Sequence, residues 1–170
     1  VQAFLRVDRL LYQGVGSRAT ASATVTTKDS HNYLEDALIA VSSRKLSVAD
    51  LDIDFGTTVL GGVLDLNLGW SQGLGALGAL RDAPDLPAEA PRAQFRKLRY
   101  GARFGLPLQL FDRDASFSSQ LSGQQARDPL YGSEQITVGG LYAVRGFFEN
   151  SLVGDHGFVL RNDLAVNLPL

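Results

Sequence analysis

Among the side chains able to do chemistry, Arg145 has the most unusual setting. It stands in GGLYAVRGFFENS (Gly139 to Ser151), wedged between Val144 and Gly146 in a long, partly apolar connection. A guanidinium presents five fixed donors and keeps its charge, so in a confined place it needs carboxylate acceptors. The acids placed to serve are Asp50, Asp52 and Asp54, which alternate along SVADLDIDF, together with Asp65 and Asp163. Removing one partner of such a buried pair costs about 3–5 kcal/mol, enough to hold or release a loop. The glycines at 139, 140 and 146 let backbone approach a wall closely, and Phe147 and Phe148 can pack the tip. This chemistry is electrostatic latching. The plain alternative is a solvated loop arginine.

Other chemistries find no support. Gly14-Val15-Gly16-Ser17-Arg18-Ala19 imitates a dinucleotide fingerprint, but ATASATVTT follows it with a strand's alternation where a helix should begin. His31 and His156 are the only histidines, cysteine is absent, and no H-x-x-x-H or H-E-x-x-H exists. There is no G-x-S-x-G elbow. Asp52 and Asp54 share a face, with nothing apolar around them to turn one into a general acid. The reading is of a protein with no catalytic, cofactor or metal site: not an enzyme.

The elements that carry these residues have a period of two. Ala49, Leu51, Ile53 and Phe55 face away from Asp50, Asp52 and Asp54. Leu64, Leu66, Leu68 and Trp70 alternate with Asp65, Asn67, Gly69 and Ser71, and Ala19, Ala21, Ala23 and Val25 oppose a row of Arg18 and hydroxyl residues. Leu98, Tyr100, Ala102, Phe104 and Leu106 oppose Lys97, Arg99 and Arg103; Phe158, Leu160, Leu164 and Val166 oppose Arg161 and Asp163. Weaker candidates at 2–12, 35–46 and 115–124 bring the expectation to about eight strands. Short breaks fall at Gly14–Gly16, Thr57–Gly62 and Pro107–Asp114; long ones run from Ser71 to Pro91 and from Gln125 to Gly157. Strands of this length with such lopsided connections fit a transmembrane β-barrel. One-sided alternation equally fits a β-sandwich packed on a core.

Composition leaves both open. The chain has 170 residues, 45% hydrophobic and 20% charged, with a formal net charge of -2. So weak a charge argues against a dedicated nucleic-acid binder. No apolar run is long enough for a transmembrane helix, which says nothing of strands. Val1 falls within a strand pattern, so the chain reads as an internal piece of a longer protein.

The stretch Ser133 to Leu164 resembles a known signature. Its Val144-Arg145-Gly146-Phe147 tetrad, the Gly139-Gly140 pair before it, the Gly154-Asp155-His156-Gly157 turn after it and the strand opening Leu160 to Leu164 are similar to those of two-partner secretion translocators. These are the TpsB, or hemolysin-activator and hemagglutinin-transporter, proteins. HNYLED (His31 to Asp36) and GALGAL (Gly75 to Leu80) match the same family. The resemblance implies an all-β chain covering about eight central strands of an antiparallel transmembrane barrel of about sixteen. Residues 1–170 would form part of that barrel, with a lumen-folding loop at about 125–157. Periplasmic polypeptide-transport-associated (POTRA) domains and the remaining strands would lie elsewhere. It also implies an outer-membrane pore, in contact with membrane lipids, secreting a TpsA-type exoprotein such as a hemolysin, adhesin or toxin. The tetrad would act as lumenal latch or gate, with a partner for Arg145 that could lie past Leu170. Two other functions stay open: a barrel-assembly factor of the same superfamily, and a soluble β-domain that binds a ligand or partner.

Overall fold

The computed structural model describes residues 2–30, 33–34, 37–38, 44–139 and 151–167. Its strands are β1 (Gln2–Gly14), β2 (Ser17–Ser30), β3 (Tyr33–Leu34), β4 (Ala37–Leu38), β5 (Arg44–Val59), β6 (Gly62–Leu74), β7 (Arg96–Leu110), β8 (Arg113–Ala126), β9 (Ile136–Gly139), β10 (Ser151–Gly154) and β11 (His156–Val166). Seven of them form one sheet in the order β1-β2-β5-β6-β7-β8-β11. Every neighbour is antiparallel. The short pairs β3–β4 and β9–β10 stand apart from it as two-stranded ribbons.

Tight turns join the strands at one end. Leu60 and Gly61 take positive φ (53° and 79°), as do Phe111 and Asp112 (53° and 60°). Two central residues in that region match the twist of the flanking strands, which makes a two-residue hairpin favourable. Strand β7 continues through Pro107 to Leu110. Its pairing with β6 stops at Gly105, so Pro107 pairs on one side only and its missing N–H is tolerated.

Alternation divides the sheet into two faces. One carries Leu51, Ile53, Leu66, Leu68, Trp70, Phe158 and Leu160, all exposed. The other carries the charged and hydroxyl residues. The true core is small and sits at the long-loop end, where Phe95 and Leu130 pack with Val48 and Ala126. Val48 shares its face with Asp50 and Asp52, so the loops bend over the polar side of the sheet. The 75–95 connection is tied by Asp82, whose carboxylate accepts from the backbone N–H groups of Ala93 (2.7 Å) and Gln94 (2.9 Å). Gln94 Oε1 in turn accepts from Asp82 N–H at 2.7 Å.

Two expectations are corrected here. The sheet is not closed: β1 and β11 are its edges, and among the described residues no pairing joins them. The chain is therefore all-β but not a transmembrane β-barrel, and an open sheet encloses no lumen through which a pore could run. Alternation reports only that two faces meet different surroundings; closure needs edge pairing with a consistent shear, which period two does not encode. The strand count also falls to seven in the main sheet. Of the candidate at 35–46, only Ala37–Leu38 and the start of β5 at Arg44 are described as strand.

Candidate functional site

The polar face is built around Arg99. Register places Asp52, Gly69 and Arg99 in one row across β5, β6 and β7. Because Gly69 has no side chain, the guanidinium crosses over β6 to reach β5. Arg99 Nη2 donates to Asp50 Oδ1 and to Asp52 Oδ1, both at 3.0 Å. Its Nε donates to Ser71 Oγ at 3.0 Å, and Ser71 donates to Asp50 Oδ1 at 2.6 Å. A Cβ on residue 69 would collide with Asp52 Oδ1 and lie 3.1 Å from Arg99 Nη2. Next along the face, Asn67 Nδ2 donates to Asp54 Oδ1 at 2.8 Å.

Toward the tight turns the face opens into a groove of about 960 Å³, lined by Arg18, Thr20, Asp54, Asp65, Arg103 and Gln120 among others. Gly56 and Gly101 keep its floor low. Toward the long loops the face is covered. The 3-10 turn Gly132–Glu134 sets Glu134 against it, 4% exposed. Glu134 Oε1 meets Lys28 Nζ at 2.6 Å, and Oε2 meets Lys97 Nζ at 3.0 Å. The Glu134 carbonyl accepts from Lys97 Nζ (2.8 Å) and Gln124 Nε2 (3.0 Å). Burial pushes the Lys97 ammonium's pKa down, and the Glu134 carboxylate opposes that shift. Asp155 staples the other limb of the loop: its Oδ1 accepts from Leu130 N–H at 3.1 Å and Gln135 Nε2 at 2.9 Å.

The expected site residues divide accordingly. Gly139 has φ 116°, a conformation that suits glycine, and ends β9. Gly154 ends β10. At Gly157 a Cβ would lie within ordinary contact of Ile136 Cγ2 at 3.4 Å, where β9 packs beside β11. Gly140 and the tetrad Val144, Arg145, Gly146 and Phe147 lie outside the described residues. Of the acids offered to Arg145, Asp50 and Asp52 hold Arg99, Asp54 holds Asn67, and Asp163 pairs with Arg161 at 2.6 Å. Asp65 has no ion-pair partner among the described residues. Sequence reasoning missed Glu134 and Lys97, which meet across 37 positions in a loop and a strand. The one signal was that Glu134 falls inside the Ser133–Leu164 signature. Among the described residues no three His, Cys, Asp or Glu side chains gather to hold a metal.

These features define a class first: a long-stranded antiparallel sheet with one polar, ion-paired face and a loop pinned across it. Comparison makes the class a family. The haemolysin secretion/activation family ShlB/FhaC/HecB matches residues 2–170. The chain belongs to that family, a family of outer-membrane-associated secretion proteins. It is 33% identical over 160 residues to the outer membrane transporter CdiB of Dickeya dadantii, covering 94% of this chain and 28% of that protein. It is 32% identical over 161 residues to the hemolysin transporter protein ShlB of Serratia marcescens, covering 95% of this chain and 28% of that protein. The solved structure of CdiB from Escherichia coli superimposes with a TM-score of 0.88 at 31% identity, covering 99% of this chain and 31% of that one. The chain thus spans under a third of its relatives' length, which agrees with an open sheet rather than a complete pore.

Proposed function

We propose that this chain supplies a polypeptide-binding surface to an outer-membrane transporter, and that the bound polypeptide is an extended stretch of a secreted TpsA-type partner. The observation that carries the reading is the uncovered groove on the polar face. Its walls offer guanidinium, carboxylate, amide and hydroxyl groups to a chain whose own backbone and side chains are polar. Arg18 and Arg103 project there without ion-pair partners among the described residues, while Arg99 holds the neighbouring aspartates in fixed positions. The tetrad Val144 to Phe147 belongs to the same reading. Its loop springs from a base pinned on this face, and Asp65 is the uncommitted carboxylate there for Arg145. This replaces the expectation that the chain forms part of an outer-membrane pore, because its sheet is open at both edges. Photo-cross-linking from groove positions of the full-length protein tests it: Thr20 and Gln120 should capture the partner, and Leu68 and Leu160 on the opposite face should not.

A further inference from the structure

Glu134 is more deeply buried than any other acid among the described residues, and the proposed groove does not account for it. Its surroundings draw on three strands of the sheet. Lys28 comes from β2, Lys97 from β7 and Gln124 from β8, with β5 and β6 lying between the two lysines. Both carboxylate oxygens and the backbone carbonyl of one residue are thus engaged by side chains that stand far apart in sequence. A solvated loop acid needs none of this.

Its place in the chain gives the arrangement its meaning. Glu134 sits two residues before β9, and β9 leads directly into the segment that bears the tetrad. The apolar anchor Leu130, 2% exposed, sits four residues earlier on the same limb. Leu130 fixes the depth of the limb by packing, which is non-directional. Charge pairing at Glu134 fixes direction, since each oxygen has its own lysine.

We propose that Glu134 is a positioning residue. Its two-lysine clamp holds the incoming limb of the tetrad loop on the polar face, independently of whatever Arg145 contacts. The inference rests on the reading that this loop and face serve the partner polypeptide. Releasing the clamp frees the limb while the sheet beneath it keeps its hydrogen-bonded ladders.

The experiment uses the full-length protein with spin labels at Ser133 and Gln120, both exposed. The wild type gives one narrow distance peak. Glu134→Gln and Lys28→Met broaden it toward longer distances, and trypsin cuts after Arg127 at least about tenfold faster in Glu134→Gln, while hydrogen exchange shows the sheet's ladders still protected. A wild-type distance distribution and cleavage rate in both variants overturn the clamp. Should Glu134→Gln fail to fold, Lys28→Met decides alone, because Lys28 is 32% exposed and its loss leaves no cavity in a core. Partner binding on the same samples separates the two claims. Loosening with partner binding intact overturns the positioning role. A wild type that binds no partner defeats the proposed function instead, and the distances still decide the clamp.

Discussion

Gly69→Ala is the perturbation that tests the polar face most sharply. The new Cβ would collide with Asp52 Oδ1 and crowd Arg99 Nη2 at 3.1 Å, so the guanidinium must leave its two aspartates. Three contacts go with it, to Asp50 Oδ1 and to both oxygens of Asp52. A hydrogen bond to a charged group contributes about 1.5–3 kcal/mol when shielded from water. Arg99 is 36% exposed, which brings each contact down toward the surface-pair range of about 1 kcal/mol or less. Loss of the set therefore costs about 1–2 kcal/mol. Replacing a strand glycine returns about 0.5–1 kcal/mol of backbone entropy. The net expectation is a modest destabilisation, and the informative quantity is the coupling. In an Arg99→Met background the same Gly69→Ala change should become neutral or stabilising, giving an interaction energy of about 1 kcal/mol or more in a denaturation double-mutant cycle. Equal costs in the two backgrounds would refute the reasoning that glycine is there to let arginine cross.

Two further outcomes follow from the same physics. Burial lowers the Lys97 pKa, so between that value and the unfolded value of about 10.4 the unfolded chain binds more protons than the folded one. This group alone then makes stability rise with pH across that window, and Lys97→Met should abolish the increment in alkaline melting curves; an unchanged increment would contradict the assignment. The isolated 170-residue chain, with Leu51, Ile53, Leu68 and Trp70 exposed and two open edges, should self-associate in buffer and disperse in detergent; a monodisperse monomer by sedimentation in plain buffer would contradict the face assignment.

Much of the fold is legible in the residues because strand alternation and turn chemistry are local. SVADLDIDF declares two faces by itself, and Leu60-Gly61 sits where the hairpin turns. Closure is not local: it depends on whether β1 and β11 meet, and no pattern within either strand reports that. The strand through Pro107 is hidden in the sequence because proline normally ends a ladder, and it continues because β6 begins only at Gly62 and pairs no further than Gly105. The site was half legible. SVADLDIDF places its aspartates on one face and offers them to Arg145. Their actual partner, Arg99, stands two strands away, and the hint lay in Gly69, an interior strand glycine of the kind that marks close approach. Glu134 and Lys97 could not be paired from spacing, since strand and loop positions 37 residues apart carry no periodic relation.

The decisive measurement is a photo-cross-linking scan along β7 in the full-length protein carrying its secreted partner. Residues Arg99, Gly101 and Arg103 face the groove side, and Tyr100, Ala102 and Phe104 face away. The account predicts partner adducts that alternate with a period of two, present at 99, 101 and 103 and absent at 100, 102 and 104. Adducts confined to the even positions, or none at all, would contradict it.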